Sequence, residues 1–199
     1  MRDSRIGRRR ALAGLLLLAS LPACRTARPR GLFVDVTRMD ASASKAFVDD
    51  VLVWPVLCPD GPWAGTIRDR LLRRLREGLL RRDYSVLSRT KSLELAERFG
   101  PGPSAALRAG RELGADGVLI FELGRWDERG LANAGVLRAE GSFRLMSPEG
   151  KRIWYGRFRM DTKVVDSWSE IRGLEDRRKV AVDRLAEGLT ARMPAHELR

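Results

Sequence analysis

Residues 117–126 read GVLIFELGRW, residues 136–146 read VLRAEGSFRLM, and residues 152–160 read RIWYGRFRM. The first is a short continuous apolar run, the pattern of a strand buried on both faces. The second alternates: Leu137, Ala139, Gly141, Phe143 and Leu145 fall on one side, Arg138, Glu140, Ser142 and Arg144 on the other. A period of two with one wet face predicts an antiparallel strand. Ser147-Pro148-Glu149-Gly150 is turn chemistry, so residues 152–160 return as the partner strand of a hairpin.

Upstream, Val51–Leu57 is a second apolar run and reads as a buried strand, weakened by Pro55, which lacks an amide for the ladder. CPDGPWAG (58–65) is a loop. From Thr66 to Arg82, Ile67, Leu71, Leu72, Leu75, Leu79 and Leu80 recur every three or four residues, which predicts an amphipathic helix. Tyr84–Leu87 reads as a short strand and Ser92–Phe99 as a helix. A break at Gly100-Pro101-Gly102-Pro103 precedes a helix over Ser104–Leu113, with Ser104 placed to cap it and Gly114 to end it. A last helix is predicted near Glu170–Met193, and Leu32–Val36 is a short edge strand followed by loop. The order β-α-β-α-β-β-β-α predicts a single α/β domain over residues 51–193, a mixed sheet with helices packed on it, and a tail at 194–199.

The amino terminus has different grammar. MRDSRIGRRR is basic, Ala11–Leu21 is apolar, and small residues follow up to Cys24. This is the three-part pattern of a secretory signal. A bilayer-spanning helix takes about 20 apolar residues, and this run is much shorter. Arg9-Arg10 also fits a twin-arginine export signal. Residues 1–23 are therefore expected to be removed, with residues 24–50 forming a tether and edge strand.

The whole chain of 199 residues carries a formal net charge of +12. A basic surface suggests a polyanionic partner, but only five of the 38 Lys and Arg residues are lysine, an excess common in GC-rich genomes. Export removes nucleic acid from the expected partners. With Cys24 at the leader boundary, Cys58 is left as a single thiol in an oxidising compartment, where burial at a strand end or intermolecular pairing is expected. The sole histidine, His196, lies near the end. One histidine with one thiol makes neither a Cys–His nucleophile nor a zinc site. Ser85, Ser88 and Ser92 have no histidine near them in any motif, the acidic pairs Asp49/Asp50 and Glu175/Asp176 diverge as sequence neighbours, and no phosphate loop of the form GxxxxGK[ST] occurs. No catalytic residue, metal or cofactor is expected.

Two features could meet a partner. The polar face of helix 66–82 carries Arg70, Arg73 and Arg74 among seven arginines against Asp69 and Glu77. It could dock on anionic lipid or an acidic protein, or simply be a solvated face. Trp63 lies in the loop after the 51–57 strand and is the tryptophan most expected at the surface, where ligands of α/β sheets bind and aromatic anchors occur. Packing into the core is the competing reading, and the one expected for Trp126, Trp154 and Trp168.

Leu21-Pro22-Ala23-Cys24 resembles the lipobox of bacterial lipoproteins. That resemblance implies cleavage between Ala23 and Cys24 and a diacylglyceryl group on the Cys24 sulfur; Pro22 departs from the usual pattern. Arg25, where Asp would favour retention at the inner membrane, implies the outer membrane, periplasmic face, with the inner membrane as the alternative. LGADGVLIFELGRW (113–126) with PEGKRIWYG (148–156) resembles a family of Gram-negative lipoproteins of unknown function. The element order is similar to the amino-terminal domain of TolB, to lipoproteins that activate peptidoglycan synthases, and to the curli secretion lipoprotein. The resemblance covers roughly residues 50–190, with Pro148-Glu149-Gly150 in place of the more usual Thr-Gly turn. It implies a fold and an envelope address and supplies no catalytic residues; the expected role is a non-enzymatic binding module of an envelope complex with a protein partner, with a self-assembling structural lipoprotein as the alternative.

Overall fold

The computed structural model describes residues 31–38, 48–164 and 173–195. The leader, Ala23, Cys24, Trp168 and His196 lie outside the described residues. Six strands form one mixed sheet: β1 (Gly31–Arg38), β2 (Asp50–Val53), β3 (Ser85–Val86), β4 (Gly117–Asp127), β5 (Val136–Met146) and β6 (Arg152–Lys163). Their spatial order is β1-β6-β5-β4-β2-β3. β2 pairs in parallel with both β3 and β4, while β4, β5, β6 and β1 pair antiparallel in succession. Among the described residues five helices accompany them: α1 (Ala64–Leu80), α2 (Arg89–Phe99), α3 (Pro103–Leu113), a single turn α4 (Leu131–Ala134) and α5 (Leu174–Thr190).

The alternation along β2 explains the layers. Val51 and Val53 join the larger core with Ile67, Leu71, Leu75 and Leu79 of α1 and Val182, Leu185 and Leu189 of α5. Leu52 and Trp54 point the other way into a smaller core with Leu95 of α2 and Ala106 and Ala109 of α3. β2 and the first half of β4 are thus covered on both faces, as parallel strands must be. β5 and β6 bury only the face that carries Phe143, Leu145, Trp154, Phe158 and Met160, and none of these pairs with the second core.

Several boundaries differ from those the sequence predicts. β2 ends at Val53, where Pro55 interrupts the ladder, and Leu57 returns as an isolated bridge to Glu122. α1 begins at Ala64 rather than Thr66, because Trp63 already takes helical dihedrals as its first flanking residue. α2 begins at Arg89, with the Ser88 hydroxyl accepting from the Lys91 amide at 3.5 Å. Ser104 does not cap α3: Gly102 takes that place and Pro103 opens the helix, its missing amide costing nothing there. Gly114 ends α3 in the left-handed region at φ 65°, as expected. α4 forms in a stretch expected to be loop. The hairpin of β5 and β6 stands where predicted, with β6 running on to Lys163.

Two register irregularities shape the antiparallel half. Leu123 opposes Gly141 and Arg125 opposes Glu140, leaving Gly124 unpaired. Leu145 opposes Trp154 and Met146 opposes Arg152, leaving Ile153 unpaired. An extra residue of this kind re-aims the side chains beside it. Ile153 and Trp154 both enter the core, and Arg152 comes to the same face as Tyr155.

Candidate interaction surfaces

The arginine face of α1 is built into the fold. Arg70 Nε and Nη2 donate to the two Asp183 oxygens at 2.8 and 2.6 Å, and Arg74 donates to the same carboxylate at 2.9 and 3.0 Å. Arg74 also bonds Glu77 at 2.8 Å. Burial raises the Asp183 carboxyl, but the two guanidiniums outweigh it and hold the group at about 2. Arg74 is raised by the same bonds, Asp183 first and then Glu77. Of the three arginines that could meet a partner, two are therefore bonded within the fold. Arg70 and Arg74 clamp α5 onto α1, and only Arg73 remains exposed. The sequence hides this because Asp183 lies 113 residues from Arg70.

Further along the same helix pair, Arg82 Nε and Nη2 donate to the Thr190 and Ala191 carbonyls at 2.5 and 2.6 Å. These are orphan carbonyls of the α5 carboxyl end, where a cation is favoured. A cleft of about 730 Å³ opens here, lined by both signs of charge, including Arg74, Arg81, Asp83 and Glu187.

Trp63 is half-buried and meets Trp126, with ring centroids 6.1 Å apart and planes inclined at 38°. The packing reading holds for it, since it lies against the larger core. Trp126 Nε1 donates to Glu128 at 3.0 Å, and Arg178 grips the same carboxylate at 2.9 and 2.7 Å. Burial raises the Glu128 carboxyl, and the bonds from Arg178 and Trp126 bring it below its ordinary value. Arg177, also buried, donates to the Leu131 carbonyl at 3.2 Å and ties α5 to α4.

Cys58 lies after β2, half-buried rather than closing a strand. Its sulfur accepts from Arg68 Nε at 3.2 Å, and Arg68 also reaches the Cys58 carbonyl and Asp60. Ser92 is fully buried and donates to the Val53 carbonyl at 2.8 Å, which seats α2 on β2. Asp116 accepts from the amides of Asp49 and Asp50 at 3.2 and 3.0 Å, fixing the start of β4 beside β2. Among the described residues no group of three His, Cys, Asp or Glu side chains could hold a metal ion.

The sequence reading missed the uncovered face of β4, β5 and β6. Glu122, Arg125, Asp127, Arg138, Glu140, Ser142, Arg144, Tyr155, Arg157, Arg159 and Asp161 share it, by the register of the three strands. Most of its cations are matched: Arg144 by Glu122, Arg138 by Asp161 at 3.4 Å, Arg159 by Glu140 at 3.4 Å, and Arg129 by Asp127 at 2.7 Å. Arg129 holds the Asp127 carboxyl well below the usual carboxylate range. Arg152 and Arg157 are exposed and form no ion pair among the described residues; they flank Tyr155, 5.3 and 5.6 Å from its ring centre. The alternation in 152–160 would have placed Tyr155 and Arg157 together. Arg152 joins them only through the unpaired Ile153, which no local pattern announces.

The fold and these surfaces define a mixed α/β domain whose titratable groups mostly serve packing. No family model matches the sequence, and no curated protein matches it. Among solved structures it is similar to the PelC dodecamer from Paraburkholderia phytofirmans, at 18% identity over 81% of this chain and 99% of that one, with a TM-score of 0.48. It is similar to a lipoprotein from Neisseria meningitidis, at 18% identity over 73% and 99% of the two chains and a TM-score of 0.46. The C-terminal domain of LpoB from Salmonella enterica shares 17% identity over 59% and 85%, with a TM-score of 0.41. What is shared is the fold alone.

Proposed function

We propose that the chain is a lipid-anchored accessory protein of the bacterial cell envelope, a non-enzymatic binding module held on the periplasmic face of the outer membrane. The observation that carries this reading is the basic leader, apolar run and Leu21-Pro22-Ala23-Cys24 at the amino terminus. Lipid on Cys24 would supply the attachment, since two or more acyl chains anchor stably where one does not. No helix among the described residues is long and apolar enough to cross a membrane. The polar side chains support a binding rather than a catalytic role: Ser92, Arg178, Glu128 and Asp183 are each engaged in holding one element to another. No cofactor beyond the covalent lipid belongs to this reading.

Intact mass and membrane fractionation of the protein from a Gram-negative host, for wild type and Cys24→Ala, test it. A mature mass beginning at Cys24 plus acyl chains, lost in the variant together with membrane association, is expected. An uncut or unlipidated wild-type chain overturns it. A second reading, a self-assembling structural lipoprotein, is favoured by one observation: β1 is an eight-residue strand at the edge of the sheet. Mass photometry separates the two, since a ring of many copies supports self-assembly and a monomer at micromolar concentration rejects it.

A further inference from the structure

We infer that the uncovered sheet face around Arg152, Tyr155 and Arg157 is the docking site for a short acidic segment of a partner protein. The inference deepens the reading of the chain as an accessory binding module by naming the surface and the chemistry of the partner. It starts from which cations are free. On this face Arg125, Arg129, Arg138, Arg144 and Arg159 each lie within 4.0 Å of a carboxylate. Among the described residues Arg152 makes no ion pair, and Arg157 donates to the Tyr155 hydroxyl at 2.7 Å. Asp35, opposite Arg157 in the β1 register, is exposed, and its charge adds to the Tyr155 hydrogen bond in favouring the Arg157 cation.

The ring explains how two guanidiniums stand side by side with no ion pair among the described residues. Each lies within cation–π range of Tyr155, and Arg157 also gives its Nε–H to the Tyr155 hydroxyl, which leaves its two outer nitrogens and the Arg152 guanidinium to donate. The bulge at Ile153 brings Arg152 into this arrangement. Beside them, Arg144 keeps its Nε buried without an acceptor while its outer nitrogen holds Glu122. The site therefore offers two forked donors preset on a rigid hairpin, the geometry that reads carboxylates bidentately.

Three occupants could bring carboxylate or phosphate. An anionic lipid surface or a long polyanion rewards a broad stripe of free charge, and here the surrounding cations are already matched. A glycan would want an open aromatic face to stack on, and Tyr155 is flanked by two guanidiniums. Two adjacent free arginines beside a tyrosine, framed by matched charges, fit a short run of Asp or Glu on a protein. Tyr and Arg are also the residue types enriched at the energetic centres of protein interfaces.

The test uses the full-length lipidated protein in a non-ionic detergent, with a fluorescein-labelled hexaglutamate peptide as probe, read by anisotropy at low salt. Arg152→Glu with Arg157→Glu is compared with Arg73→Glu with Arg81→Glu, which makes the same charge change on exposed arginines of the α1 side. Thermal melts confirm that both variants fold, as expected for residues without ion pairs. Saturable binding weakened at least tenfold by the first double variant and less than twofold by the second is the expected result. Absent binding, or equal weakening by both variants, overturns it. So does stronger competition from polygalacturonate or phosphatidylglycerol vesicles than from unlabelled peptide. Lipidation is read separately by mass, so loss of the anchor and loss of this site are distinguishable.

Discussion

At the scale of single residues, a few carboxylates each receive several donors and join two elements. Asp183 receives four hydrogen bonds from Arg70 and Arg74 with its side chain 28% exposed. Asp183→Asn is expected to cost about 1–3 kcal/mol in urea unfolding, since two guanidiniums lose their charged acceptor. Its pH dependence has a definite sign. The folded carboxyl titrates at about 2, below the ordinary 3.8, so its contribution is full above about pH 4 and fades as pH falls toward 2. The stability gap between wild type and Asp183→Asn should therefore narrow on acidification from pH 6 to pH 3; a gap that stays constant rejects the clamp. Arg178 is more deeply placed, 10% exposed against 18% for Glu128. Arg178→Ala should cost about 1–3 kcal/mol, because half-buried Glu128 would be left without its cation. A chemical denaturation midpoint near that of wild type would contradict this.

At the scale of elements, helices α1 and α5 cross where Gly78 meets Thr190. A Cβ at Gly78 would lie 2.1 Å from Thr190 Cγ2 and 2.6 Å from its Cβ, so only the absence of a side chain permits the approach. Gly78→Ala is expected to destabilise by about 1–3 kcal/mol through overpacking. Adding Thr190→Ala should return part of that loss, and strictly additive costs in the double-mutant cycle would show that the helices do not touch there. This crossing marks the limit of what the sequence discloses. Period two in 136–146 and the apolar run at 117–123 announce β5 and β4, because local side-chain alternation is the physical cause of strand burial. The face of α1 that packs is equally legible from Leu71, Leu72, Leu75 and Leu79. What Arg70 and Arg74 do is not, since an exposed and a clamped arginine have the same local pattern and the deciding Asp183 belongs to another helix. Trp63 and Trp126 are separated along the chain in the same way. Arg152 escapes notice because the bulge at Ile153 changes which parity faces solvent.

At the scale of the molecule, the sheet has two unlike halves, and the difference governs how its edges are managed. The parallel half is closed by helices on both faces and ends in β3, only two residues long, which presents little ladder to another chain. The antiparallel half is covered on one face and ends in β1, which satisfies β6 along eight register pairs from Gly31–Asp161 to Arg38–Trp154. β6 carries Trp154, Phe158 and Met160 into the core, so its alignment matters to the larger core as a whole. Deleting residues 31–38 while keeping residues 1–30 would turn β6 into a long bare edge with those side chains beside it. Such an edge templates pairing with other chains. The deletion variant is expected to melt at lower temperature and to self-associate in light scattering as concentration rises, whereas the intact chain is protected along that side by β1. A deletion variant that stays monodisperse with an unchanged melting temperature would mean that β1 contributes nothing to the folded unit.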